Sequence, residues 1–146
     1  MPIYLSAELE GEQQLSRRLG IIADGVEDFS PALESIEKEL LHSVDQNFSQ
    51  RGGLFGGWVP RKDDNPWPLL EKTGELRGGF MSAVKSDYLE IGNSVSYFKY
   101  HQSNQPRARL PRRVMLKIDA ERKVFITKAF QQYLVGLIQD QNNAKL

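Results

Sequence analysis

Cysteine is absent from this chain, which excludes disulfides and thiolate metal sites and fits a reducing compartment. Histidine occurs only twice, as His42 and His101. Catalytic zinc takes about three protein ligands, and no His-rich set is present to supply them. No window approaches the ~18 consecutive apolar residues of a membrane span. The opening Met-Pro-Ile-Tyr-Leu-Ser-Ala-Glu carries no basic region before an apolar run, so no secretory signal is expected. Net charge is missing as well, since 19 Lys and Arg balance 19 Asp and Glu. The expectation is a soluble protein without cofactor or metal.

What is present fits one domain spanning all 146 residues, with a modest core drawn from 40% apolar residues. The balanced charge is segregated along the chain. Residues 1–50 carry ten acids and three bases, a local charge of −7. Residues 51–117 carry twelve bases and six acids, a local charge of +6. Two such halves attract each other, either within one copy or between copies, and the pattern leaves both readings open.

Hydrophobic periodicity supplies the elements. Ile3, Leu5, Ala7 and Leu9 alternate with polar residues, which predicts a half-buried strand. Gln13–Ala23 reads as a short helix. Ser30-Pro31 predicts a helix start, with Ser30 as N-cap and Pro31 at the first helical position. Leu33, Ile36, Leu40, Leu41, Val44 and Phe48 then fall at helical spacing to about Ser49. Thr73–Arg77 reads as a turn or short helix. Phe80–Lys85 and Tyr88–Gly92 predict a hairpin across Ser86-Asp87, with Leu89 and Ile91 on one face. Ser96–Gln102 predicts one or two helical turns. Asp119 caps a final helix to about Gln139, burying Phe125 or Ile126, Ala129, Phe130, Tyr133, Leu134 and Leu137, before a frayed 140–146 tail. The fold class is therefore α+β, with long helices packed on a small antiparallel sheet.

Between the first long helix and the hairpin lies Gln50–Pro68, rich in Gly and Pro and without periodicity. Loops beyond ~12–15 residues in a compact domain are usually functional or disordered. Phe55, Trp58 and Trp67 in this loop need a surface to cover, supplied by the domain's own core or by a neighbouring subunit. Trp67 leans to the core. The Gly52–Gly57 run has no following Lys-Ser or Lys-Thr pair, so it is a flexible loop and not a phosphate cradle.

Catalytic groups are scarce. His42 stands in the acidic helix with Asp45 one turn on, an ordinary helix residue. His101 lies among Tyr97, Tyr100 and Gln102, and neither Ser96 nor Ser103 occupies the strained elbow of a nucleophilic serine. A local hydrogen bond holding the aromatic turn is expected of it. The basic run Arg107, Arg109, Arg112, Arg113 and Lys117 fits a solvated loop, a protein contact or a DNA contact, in that order, because the aromatics precede it instead of interleaving.

In order along the chain, these pieces resemble the phage virion morphogenesis family, the Mu-type and P2-type tail completion proteins. The strand, short helix and long helix ending in Asn47-Phe48 before a Gly-rich loop are similar to the family's opening. Asn65-Pro66-Trp67-Pro68-Leu69 resembles its Trp loop, and Thr73-Gly74-Glu75-Leu76-Arg77 its Thr-Gly-x-Leu-Arg signature. Glu90-Ile91-Gly92-Asn93, Tyr97 to His101-Gln102, and Leu110-Pro111-Arg112-Arg113 resemble its later segments. The resemblance covers nearly the whole chain.

It implies a non-enzymatic structural protein of the virion tail or neck, present in the host cytoplasm during assembly. Such a subunit forms a ring, hexameric by tail symmetry, at the head-proximal end of the tail. There it terminates tail assembly and joins the head, touching itself, tail tube or sheath proteins and head–tail connector proteins, with DNA in the lumen. The alternatives are a head-side neck protein and, in another class, a small DNA-binding module using the 107–117 loop. Phe55, Trp58, Arg107, Arg109, Arg112 and Arg113 are the expected interface residues. Leu76 is expected to bury under the hairpin and Arg77 to cap or pair locally. Trp67, Thr73, Gly74, Gly92, Tyr97, His101, Gln102 and Pro111 complete the motif positions.

Overall fold

A 20-residue helix, α1 (Ser30–Ser49), organises the molecule. The computed structural model describes residues 3–4, 26–103 and 110–144. The predicted helix Gln13–Ala23, most of the first predicted strand, and Arg107 and Arg109 lie outside these residues. Pro31 occupies the first turn of α1 as its fixed φ favours. The cap differs from expectation. Ser30 is already helical, and the Asp28 carboxylate accepts its N–H at 2.9 Å. A carboxylate two residues upstream thus satisfies a donor that a Ser30 side chain would have left to itself.

One stripe of α1 is buried: Leu33, Ile36, Leu40, Val44 and Phe48. Leu41 lies half-buried at its edge. Each such side chain contributes about 1.5–3 kcal/mol on leaving water. Against this stripe pack the sheet and the last helix. The sheet is antiparallel, in the order β1 (Ile3–Tyr4), β3 (Leu89–Asn93), β2 (Phe80–Val84). Its register pairs Phe80 with Asn93, Ser82 with Ile91 and Val84 with Leu89. Those six residues share one face, because strand side chains alternate. Leu89, Ile91 and Asn93 are buried, while Met81 on the other face is exposed. The hairpin closes as predicted, with the Lys85 N–H donating to the Tyr88 carbonyl at 2.9 Å. Its turn is held to the start of α1 by a bond from the Phe29 N–H to the Ser86 carbonyl.

Short helices α2 (Glu75–Gly78) and α3 (Phe98–Gln102) flank the hairpin on either side. Leu76 is buried, as expected. The buried Asn93 amide donates to the Leu76 carbonyl at 2.7 Å and so fastens α2 to β3. Helix α4 runs Ala120–Ala144, five residues past the predicted end. Asp-Gln-Asn-Asn-Ala contains neither Gly nor Pro, so nothing stops the helix at Gln139. The Asp119 carboxylate accepts the Arg122 N–H at 3.0 Å, the N-cap the sequence predicts. Ile126 and Leu134 are buried, with Phe125, Ala129, Phe130, Tyr133 and Leu137 half-buried beside them. The fold is α+β, helices against a small antiparallel sheet.

Candidate interaction site

The segment Leu110–Asp119 has no regular secondary structure, yet Met115 and Leu116 within it are buried in the core. A buried strap without a ladder must find its hydrogen bonds elsewhere. Side chains supply them. Asn47, from the last turn of α1, donates to the Val114 carbonyl at 2.9 Å. The Trp58 indole N–H donates to the same carbonyl at 2.8 Å. Gln102, the last residue of α3, accepts the Met115 N–H at 2.8 Å and donates to the Leu116 carbonyl. The Arg113 N–H reaches the His101 carbonyl at 2.9 Å. The amide of Gln102 therefore stands in for a neighbouring strand.

Trp58 is placed by the turn that ends α1. Arg51 and Gly52 adopt left-handed conformations there, and the Gly52 N–H bonds the Asn47 carbonyl at 2.8 Å. Gly52 is required on two counts. Its φ is +83°, and a Cβ would stand 2.3 Å from the Trp58 ring. Trp58 is 8% exposed and meets Phe48 edge-on at 5.1 Å between ring centroids. Of the two readings the sequence left open for this tryptophan, coverage of its own core is the one observed, so Trp58 is no outward anchor. The Gly52–Gly57 run is correspondingly a hydrogen-bonded turn, with a 3₁₀ turn at Gly53–Phe55, and not the loose loop expected.

Trp67 departs from expectation in the opposite sense. It lies half-buried outside the core, its ring flanked by Arg61 at 5.9 Å and the Lys72 ammonium at 5.0 Å. Cations on an aromatic face gain from its quadrupole, which needs no apolar enclosure. Phe55 is half-buried beneath the Arg122 guanidinium at 5.4 Å. Arg122, 4% exposed along its side chain, is itself held by Asp119 at 2.8 Å.

The Thr-Gly-x-Leu-Arg segment forms a second node. Gly74 stands at φ +76° before α2. Arg77 pairs with Glu71 at 2.7 Å and with Asp45 at 2.5 Å, and donates to Ser49 Oγ at 3.0 Å. Glu71 first and Asp45 second hold its guanidinium above the ordinary arginine range. The Glu71 contact is the local pairing expected of Arg77, whereas the bonds to Asp45 and Ser49 are long-range and join α2 to α1. They also remove Asp45 from His42, which is exposed on α1. Tyr97 is exposed and meets the buried His101 ring edge-on. Gly92 is half-buried inside β3 opposite Met81, and Pro111 is half-buried in the strap.

The basic run is divided by the structure. Arg112 is exposed, donating weakly to the Gln102 carbonyl at 3.3 Å. Arg113 does not face outward as expected: it is 7% exposed, and its Nε donates to the Val59 carbonyl at 3.0 Å. The reason is its place in the chain, one residue before the strap turns into the core. Burial and then the positive Arg61 push its guanidinium below the ordinary range. Among the described residues, no group of three or more His, Asp or Glu is placed to hold a metal ion. Sequence reading missed Asn47 as a structural donor. A polar residue between Val44 and Phe48 on a buried stripe was the available signal. Comparison with models of known families, with curated proteins and with solved structures found no match for this chain.

Proposed function

We propose that the chain is a structural ring subunit of a phage tail, assembling with copies of itself at the head-proximal end. There it ends tail growth and joins the head. The observation that carries this reading is the ordered set of motifs from Asn47-Phe48 to Leu110-Pro111-Arg112-Arg113. The use made of those motifs is in keeping with a scaffold: Asn47, Gln102 and Arg113 hold the strap, and Arg77 ties α2 to α1. Segregated charge supports self-assembly as well, because a head-to-tail ring brings unlike faces of neighbouring copies together.

The test is the native mass of the purified chain over a concentration series, at low and moderate salt, with electron microscopy of the product. The expected outcome is a closed ring, six copies by tail symmetry, that loosens as salt screens the charged halves. A chain that stays monomeric and also fails to bind the ends of tail tubes overturns the reading.

A further inference from the structure

Two stretches of main chain leave hydrogen-bonding groups unused. The first is the outer edge of β2, which pairs with β3 on one side and, among the described residues, with no strand on the other. Bonds at both ends of the β2–β3 ladder fix its phase. The Lys85 N–H donates to the Tyr88 carbonyl, and the Ser94 N–H to the Gly79 carbonyl. Bonded pairs alternate along an antiparallel ladder, so Met81 and Ala83 turn their main-chain groups to β3. Phe80, Ser82 and Val84 turn theirs to the open edge. This edge carries none of the usual guards against pairing. Phe80–Val84 has no charged residue, no proline and no bulge, and Met81 within it is 57% exposed.

The second stretch is the start of the strap. Arg113 donates its N–H inward, to the His101 carbonyl. The main-chain groups of Leu110 and Arg112 meet no partner among the described residues, and both side chains are exposed. Pro111 between them has no N–H to satisfy.

The two edges fit each other. On the α1 face of β2, the half-buried Phe80 and Val84 flank Ser82, whose hydroxyl donates to the Glu37 carboxylate of α1. Glu37 is half-buried and forms no ion pair among the described residues. Residues two apart on a strand share a face, so that face calls for a base and an apolar residue two positions away. Arg112 and Leu110 have that spacing. With Arg112 opposite Ser82 and Leu110 opposite Val84, the guanidinium meets Glu37 and the leucine covers the valine. Pro111 then falls on the Met81 face, at the one position whose N–H would point away from β2.

We propose that the open edge of β2 takes up Leu110–Arg112 of a second copy as an added antiparallel strand, with Arg112 paired to Glu37. The inference rests on the self-assembly in the proposed function and names a contact that would make it. Because the two edges belong to different segments, the contact is heterologous and repeats from copy to copy, as a ring requires.

The experiment measures self-association of the full chain by sedimentation equilibrium, with thermal unfolding as the fold control. Wild type is compared with Arg112→Glu, Glu37→Arg, the Arg112→Glu/Glu37→Arg double variant and Ser82→Pro. Proline at position 82 deletes an outward N–H and no bond to β3, a change that edge strands tolerate. Glu37→Gln replaces Glu37→Arg should the latter lower the melting midpoint. Each single variant is expected to weaken association by about tenfold or more, and the double variant to recover part of that loss. Association as tight as wild type in Arg112→Glu and Ser82→Pro overturns the strand addition while leaving the ring reading in place. A wild-type chain that is monomeric throughout overturns the contact between copies, and the ring reading then turns on binding to tube ends. Loss of affinity for a short DNA duplex in Arg112→Glu, with self-association unchanged, assigns Arg112 to phosphate and likewise overturns it.

Discussion

Asn47 donates its side-chain amide to the Val114 carbonyl at 2.9 Å, across 67 positions of sequence. The same amide lies 3.4 Å from the Met115 carbonyl. One completely buried polar residue of α1 thereby fixes where the strap crosses the helix end. Asn47→Ala is expected to destabilise the fold by about 1–3 kcal/mol, because a buried carbonyl loses a donor and a small cavity opens. Asn47→Asp is expected to cost more, since a carboxylate would face two carbonyls in the core. Denaturant unfolding of the two variants checks this ranking. Equal stability of Asn47→Ala and wild type would show that the strap does not depend on Asn47.

Gly52 and Trp58 make a paired prediction. Gly52→Ala introduces a Cβ within 2.6 Å of the Trp58 main-chain nitrogen as well as its ring, at a φ that L-residues rarely adopt. Rotating the indole away cannot relieve a clash with backbone. The substitution is expected to cost about 1–3 kcal/mol by strain alone. Trp58→Phe keeps an aromatic ring against Phe48 and loses only the indole donor, with an expected cost of about 1 kcal/mol. Trp58→Ala empties the site, at about 3–5 kcal/mol. Urea midpoints lowered least by Trp58→Phe and most by Trp58→Ala, with a clear loss in Gly52→Ala, support the turn-and-plug arrangement. A neutral Gly52→Ala contradicts it.

How much of this was readable beforehand depends on the physical signal involved. Helix α1 and the hairpin follow from periods of 3.6 and 2 that apolar side chains mark directly, as Leu33 to Phe48 and Leu89 to Ile91 do. The strap gives no period. Its anchors are Asn47, Trp58, Gln102 and Arg113, side chains whose partners are main-chain atoms distant in sequence, and nothing in local composition names those partners. Arg113 illustrates the difficulty. It belongs to a basic run, which reads as solvated, but also precedes Val-Met-Leu, which enters the core. The change from charged to apolar at that position was the visible sign. Trp67 leaned to the core in the sequence for another reason: apolar counting ignores the cation–π contacts that Arg61 and Lys72 supply to its ring.

Asp28 gives a pH prediction with a definite sign. The Ser30 hydroxyl, and then its main-chain N–H, hold the Asp28 carboxyl below its ordinary value of 3.8. A depressed folded-state value contributes stability above the unfolded value and loses it as pH falls through the folded one. Protonation removes the acceptor from the start of α1. Asp28→Asn keeps an oxygen acceptor there and cannot titrate. The stability difference between neutral and acid pH is therefore expected to be smaller in Asp28→Asn than in wild type. Thermal unfolding at matched pH values measures it, and an identical acid loss in both proteins removes Asp28 from the account.

Arg112 and Arg113 are adjacent in sequence and opposite in environment, and that contrast separates folding from assembly. Arg112 is exposed with one long bond to a carbonyl, so Arg112→Glu is expected to leave the unfolding midpoint within experimental scatter. Arg113 is 7% exposed and bonded to Val59, and Arg113→Glu would place a carboxylate against that carbonyl. A loss of about 2 kcal/mol or more is expected. Arg113→Met retains the buried stem without the head and is expected to fall between them. If both reversals unfold alike, the division of the basic run is wrong. If only Arg113→Glu does, then any assembly defect in Arg112→Glu belongs to the surface, where an electrostatic contact with a neighbour weakens as salt rises.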